Sequence, residues 1–179
     1  MIATLASALT LSQLGKIVDS LSVSRVALII IPLLALFAAS MAFANSLVLL
    51  VLAIFGLRLF GQGMMTHNAI TAMGRWYVAQ RGRAVSVASL GHQVGEAALP
   101  IIYVSIVATV GWRNTWLLSA LVIMGFALPL VYALMRKERQ PRSTDGVALN
   151  GAPKDWTRKE VLRDPIFWLI LLGILAPGF

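Results

Sequence analysis

The sequence predicts an all-α, polytopic transmembrane helical bundle. The prediction rests on its hydropathy, its scarcity of charge and the distribution of that charge. Hydrophobic residues make up 59% of the 179 residues, charged residues only 12%, and the mean hydropathy is +0.83. Soluble domains carry about 25% charged residues, so this chain has too few to cover a globule in water. The sequence contains no cysteine, which excludes a disulfide framework and a thiolate metal site.

Five apolar stretches are predicted to be membrane spans, and a sixth begins near the end of the sequence. A span needs about 20 mainly apolar residues. These stretches are apolar on all sides, which is typical of helices in lipid. Pro100 and Pro129 lie inside spans and predict kinks. The predicted spans cover residues 2–18, 26–44, 47–72, 84–110 and 114–135, followed by 166–179.

The lysines and arginines fall almost entirely on one side of the predicted bundle. Thirteen of the 15 lie in segments 16–25, 73–83 and 136–164, whereas the opposite loops contain only Arg113. Since Lys and Arg stay on the cytoplasmic side during insertion, these three segments are predicted to be cytoplasmic. The chain is therefore predicted to lie in the cytoplasmic (inner) membrane as a multi-pass protein. Its partner is the lipid bilayer, and its net charge of +8 does not indicate nucleic acid.

The sequence divides into three predicted parts: a partial transmembrane bundle (1–135), a cytoplasmic linker (136–164) and the start of another helix (165–179). The first span has no outer flank and lacks the pattern of a signal peptide. The last apolar stretch has 14 residues, too few to cross a bilayer. We therefore expect a longer membrane protein, with helices before residue 1 and after residue 179.

Two ionisable residues, Arg58 and Glu96, lie deep in predicted spans, where a charge costs a few kcal/mol and indicates a functional site. They lie at similar depth, because Arg58 is about 20 residues before, and Glu96 about 18 residues after, the centre of the loop that joins their two helices. Helical spacing extends both positions into polar stripes, which should face the bundle interior or a water-filled path. The stripes are Arg58, Gln62 and Thr66 on one helix, and His92, Gln93, Glu96 and Tyr103 on the other.

Several short motifs occur in the same order as in a known family of membrane proteins. Together they cover essentially the whole chain. They are Gly15-Lys16-Ile17-Val18-Asp19, Arg58-Leu59-Phe60-Gly61-Gln62-Gly63, Gln80-Arg81-Gly82-Arg83-Ala84 with Gly91 and Gly95, Gly111-Trp112-Arg113-Asn114-Thr115-Trp116, and Arg163-Asp164-Pro165-Ile166-Phe167-Trp168. In this order they resemble the N-terminal half of a major facilitator superfamily (MFS) transporter, from its second helix to the start of its seventh. Within that superfamily the chain is most similar to the monocarboxylate and oxalate–formate branch.

The resemblance implies a partial MFS fold, in which two six-helix bundles rock about a central solute site. It implies secondary active transport by alternating access, and it makes the C-terminal half of the same transporter a partner of this chain. It also implies a gating loop between the family's second and third helices, containing Gly15 and Asp19, with Arg25 supplying a basic charge.

Roles for the polar stripes follow from their chemistry. Arginine suits a small anionic, monocarboxylate-like solute, because its planar fork donates two parallel hydrogen bonds to a carboxylate. We therefore expect a substrate site of Arg58, Gln62, Thr66, Gln93 and Tyr103. Glu96 and His92 are expected to couple transport to protons, with antiport as the other form of coupling. The alternative is a static Arg58–Glu96 pair that only locks two helices together.

Two further hypotheses compete with transport. One is a membrane-embedded enzyme using His67, His92 and Glu96. It lacks a zinc-protease motif, paired carboxylates and a third metal ligand at helical spacing, so we predict no catalytic residue, metal or cofactor. The other hypothesis is that the fragment is inactive alone, because half of the bundle that closes the site is absent.

Overall fold

The computed structural model describes residues 2–77 and 81–135, with the side chains of residues 2, 15–20 and 81 excepted. This part of the chain is helical apart from short connections. The predicted linker 136–164 and the following helix start lie outside the described residues. The described helices are α1 (Ile2–Ser20), α2 (Val23–Ala42), α3 (Leu47–Trp76), α4 (Arg81–Val110) and α5 (Trp112–Met135).

Four of these helices, α2 to α5, are long and apolar enough to cross a membrane. This confirms the all-α, membrane-spanning fold class. The first predicted span forms the 19-residue helix α1 but is not among the four. Polar residues interrupt its apolar sequence, and the hydroxyls of Ser7, Thr10 and Ser12 bond to carbonyls of its own backbone.

The helix boundaries have local causes. Ser46 begins α3 by accepting a hydrogen bond from the backbone N–H of Leu49, at 3.2 Å. Gly111 separates α4 from α5 with a φ of 81°, which glycine adopts without the steric cost of a Cβ. The hydroxyl of Thr115 then donates to the Gly111 carbonyl at 2.8 Å and stabilises the first turn of α5.

The helices pack around α2, which contacts both α3 and α5. α1 lies against α3, and α4 contacts the second half of α3 and part of α5. Val26 and Ile30 of α2 form a buried cluster with Leu59 and Met64 of α3. This contact between α2 and α3 supports the helix that carries the first polar stripe.

A glycine allows the closest approach between α2 and α3. A Cβ added at Gly56 would overlap the ring of Phe37, and that ring stacks on Phe60 with 5.6 Å between centroids. Farther along α3, a Cβ at Gly61 or Gly63 would lie 3.2 Å from Leu34 or 3.1 Å from Leu11. Glycines therefore bring α3 close to both α1 and α2.

Two helices contain π-helical segments. In α5 the segment Ile123–Ala127 ends shortly before Pro129, which has no N–H to continue the α-helical ladder. In α3 the segment Leu57–Met65 has nine residues and includes both Arg58 and Gln62. The polar stripe of Arg58, Gln62 and Thr66 therefore begins in a π-helical segment and not in regular α-helix.

Candidate functional site

A cavity of about 470 Å³ lies between α3 and α4. Its size falls within the range of roughly 300–1,000 Å³ that is usual for small-molecule sites. Most of its wall is apolar, with a few polar side chains from both helices. The lining residues are Gly61, Gln62, Met65, Thr66, Ala69 and Ile70 of α3, and Ala88, Ser89, His92 and Glu96 of α4.

Four of the residues proposed from sequence line this one cavity. Gln62 and Thr66 come from the stripe on α3, and His92 and Glu96 from the stripe on α4. The helices contact each other along the second half of α3, which brings the two stripes to opposite walls. The cavity therefore offers amide, hydroxyl, imidazole and carboxylate groups to one small molecule.

Arg58 is not one of the lining residues, but it bonds to one. Its Nη1 atom donates to Oε1 of Gln62 at 3.0 Å, one turn along the same helix. The side chain is otherwise exposed. The guanidinium group therefore lies next to the cavity and is held there by the neutral amide of Gln62.

The described side chains do not form a direct ion pair between Arg58 and Glu96. Oε1 of Glu96 lies 3.3 Å from Nε2 of His92, four residues earlier on α4. Each of the two charged residues thus contacts a side chain one turn away on its own helix, in the i,i+4 arrangement of neighbouring helix positions. The static Arg58–Glu96 pair is absent from the described residues.

The other two proposed substrate residues lie away from the wall. Gln93 is exposed and is not a lining residue. The hydroxyl of Tyr103 shares a 2.6 Å hydrogen bond with Oγ of Ser119, and its ring meets Trp116 edge to face at 6.1 Å. Tyr103 therefore links α4 to α5.

Comparison with known proteins decides the family. The sequence profile of the Major Facilitator Superfamily matches residues 1–179. The chain belongs to the Major Facilitator Superfamily. It is therefore a multi-pass membrane protein of a transporter family, as its sequence predicts, and family membership points to transport and not to catalysis.

Two fungal MFS proteins show distant similarity to the chain. "MFS transporter asaE" of Aspergillus flavus is 25% identical over 115 residues, which cover 64% of this chain and 24% of that protein. "MFS-type transporter pytF" of Aspergillus terreus is 30% identical over 112 residues, 63% of this chain and 36% of that protein. The aligned region thus spans about a third or less of these relatives. No solved structure gives a significant match.

The π-helical segment of α3 is one part of the candidate site that the sequence did not predict. Such segments widen the helix and often occur at functional sites. Here the segment covers the arginine and the first two lining residues, Gly61 and Gln62. The two glycines at 61 and 63 were the available signal, because glycine within a helix accompanies local departures from regular geometry.

The proposed gating loop is only partly visible. The side chains of Gly15 and Asp19 lie outside the described residues, and Arg25 is exposed in the first turn of α2. Two residues of α3 that the sequence did not single out bond to the backbone where α1 connects to α2. Asn68, which is buried, donates to the carbonyl of Val23 at 3.2 Å, and Arg75 donates to that of Leu21 at 3.1 Å.

The residues of the enzyme hypothesis are not brought together. His92 and Glu96 line the cavity, whereas His67 does not. Among the described residues, no group of three or more His, Cys, Asp or Glu side chains is placed to hold a metal ion.

Proposed function

We propose that this chain forms part of a secondary active transporter that moves a small anionic, monocarboxylate-like solute by alternating access. One observation carries the proposal: Gln62 and Thr66 of α3 face His92 and Glu96 of α4 across a single cavity of about 470 Å³. Polar side chains at membrane depth are costly, and those that face a cavity are typical of solute and ion paths. The apolar remainder of the wall suits a short hydrocarbon group.

Arg58 supplies the anion specificity in this proposal. Its 3.0 Å hydrogen bond to Gln62 holds the guanidinium at the edge of the cavity. A carboxylate entering the cavity can replace this neutral acceptor with a charged one, and hydrogen bonds between charged groups are shorter and stronger. Gln62 is then free to donate its amide to the solute.

Glu96 and His92 supply the coupling. Their side chains lie 3.3 Å apart and are 60% and 48% exposed, so both are accessible from the cavity. A carboxylate and an imidazole at this distance can exchange a proton as the access changes. Antiport of a second anion is the competing form of coupling, and it predicts that transport persists without this pair.

The transporter is oriented with segments 16–25, 73–83 and 136–164 in the cytoplasm of the cell, and it lies in the inner membrane. The C-terminal half of the same protein completes the solute path. Two observations support this arrangement: the charge asymmetry of the loops, and the exposure of α4, of which no described residue is buried.

The test is uptake of radiolabelled monocarboxylates by the complete gene product in proteoliposomes, with Arg58→Ala as the main variant. Losing hydrogen bonds to a charged group costs about 1.5–3 kcal/mol. We therefore expect KM for the solute to rise roughly 10- to 100-fold. Arg113→Gln removes the same charge at the far end of α5 and should transport normally.

Normal uptake by Arg58→Ala would rule out its anion role while leaving transport intact. Turnover of a candidate substrate without net movement across the membrane, abolished by His67→Ala, would instead favour the membrane-embedded enzyme of His67, His92 and Glu96.

A further inference from the structure

A second, smaller groove lies between α2 and α5, away from the α3–α4 cavity. It has a volume of about 210 Å³ and is lined by Ser24, Leu28, Val131, Tyr132 and Met135. These residues lie where α2 begins and where the described part of α5 ends. The transport proposal does not use this groove.

A hydrogen bond between the two helices fixes the groove. The hydroxyl of Ser24 donates to the backbone carbonyl of Met135 at 2.8 Å. The start of α2 and the end of α5 are thereby held side by side.

Outside the groove, α2 also has exposed apolar residues and an exposed cation. Ile29, Leu36 and Phe43 of α2 are 55%, 62% and 62% exposed. They recur every seven residues and so share one face of the helix. Arg25 is exposed four residues before Ile29 and three before the lining residue Leu28, so it lies on the same side.

The residues at and near the groove are of the charged and aromatic types found at the headgroup level of a membrane. Tyr132 lines the groove and is 51% exposed, and half-exposed tyrosine is typical of the membrane–water interface. Beyond Met135 the sequence continues with Arg136, Lys137, Arg139 and Arg142. Basic clusters directly after a span attract anionic lipids, by about 1 kcal/mol per residue.

We propose that the α2–α5 groove binds one anionic phospholipid. Arg25 holds the phosphate, Leu28 and Tyr132 contact the glycerol region, and an acyl chain lies along the exposed apolar face of α2. The long apolar face decides in favour of a lipid over free phosphate, because inorganic phosphate would leave it uncovered. The proposal does not depend on the transported solute.

The experiment measures lipid retention by the complete gene product. The protein is reconstituted in symmetric nanodiscs containing phosphatidylglycerol and phosphatidylethanolamine, extracted in detergent and analysed by native mass spectrometry. Both leaflets contain both lipids, so the result depends on neither topology nor transport. We expect wild type to retain phosphatidylglycerol preferentially and Arg25→Gln to bind it about five-fold more weakly, the value of one surface cation.

Matched variants separate a site from general charge attraction. Arg25→Lys should retain the lipid, and Arg113→Gln, the same charge change at the other end of α5, should bind as wild type. Leu28→Trp keeps Arg25 but fills the groove, and should also lose the lipid; size-exclusion chromatography checks its folding. Unchanged retention in Arg25→Gln, an equal loss in Arg113→Gln, or full competition by inorganic phosphate would each overturn the proposal.

Discussion

α3 and α4 form the two walls of one cavity, yet their glycines have opposite surroundings. In α3, Gly56 lies against the ring of Phe37, and Gly63 lies close to Leu11. In α4, a Cβ at Gly91 would meet nothing within 4 Å, and one at Gly95 would meet only Leu99 of its own helix. The same small residues thus mark a tight contact in one helix and an open face in the other.

This difference shows which of the two cavity walls, α3 or α4, is held in place by other described helices. α3 packs against both α1 and α2, whereas the main contacts of α4 among the described helices are with part of α3 and part of α5. The sequence spacing of Ala84, Ala88, Gly91, Gly95 and Ala98 predicts close helix packing. Because the described chain leaves Gly91 open, this face of α4 is available to the remaining half of the proposed transporter.

The largest expected effect is at the tight contact. Gly56→Leu places a side chain where the ring of Phe37 lies, and relief requires both Phe37 and its stacking partner Phe60 to move. Overpacking of this kind costs about 1–3 kcal/mol, and we expect the upper end here. The measurement is thermal unfolding of the complete gene product in detergent, followed by tryptophan fluorescence.

Gly74→Leu is the matched control on the same helix, because a Cβ at Gly74 meets nothing within 4 Å. It should unfold within a few degrees of wild type. Equal destabilisation by both variants would show that the contact with Phe37 does not set the cost.

The second-largest expected effect concerns proton exchange between side chains of α4 that line the cavity. Glu96→Gln keeps the size of the side chain but cannot carry the proton exchanged with His92, which lies 3.3 Å away. We expect solute accumulation driven by a proton gradient to fall at least about ten-fold, equivalent to 1.4 kcal/mol. Exchange of labelled for unlabelled solute should persist, because it needs no net proton movement.

Ser105→Ala is the control for this variant. Ser105 is exposed on α4, and its hydroxyl bonds only to the carbonyl of Ile101 at 3.0 Å. It should accumulate solute as wild type does. Accumulation that survives in Glu96→Gln would contradict proton coupling through this pair and favour antiport.

The sequence predicts the helices well because the hydropathy that identifies a span is summed over about 20 residues. The span predicted at 47–72 is observed as Leu47–Trp76, and the one predicted at 84–110 is observed as Arg81–Val110. About twenty apolar residues in a row leave few alternatives in any environment. The weak case is α1, which forms a helix but is not among the four that are long and apolar enough to cross a membrane.

Side-chain partners were predicted less well, because they depend on rotamers and on local backbone geometry. Helical spacing grouped Gln62 with Arg58 on one helix face and His92 with Glu96 on another, and Gln62, His92 and Glu96 all line the cavity. It could not show that Arg58 bonds to Gln62 or that Tyr103 bonds to Ser119. The first lies in a π-helical segment, where the positions of regular α-helix no longer apply.

The smallest expected effect tests the open face of α4. In residues 1–179 alone, Gly91→Ala adds a methyl group to an exposed helix position with nothing within 4 Å. Replacing glycine in the middle of a helix removes an entropic cost of about 0.5–1 kcal/mol, so this fragment should become slightly more stable. Circular dichroism during thermal unfolding measures the change. In the complete gene product, the bulkier Gly91→Leu should instead be destabilising, since the C-terminal half is proposed to pack against this face. If Gly91→Leu left the stability of the complete gene product unchanged, α4 would face lipid and the proposed contact between the two halves would lie elsewhere.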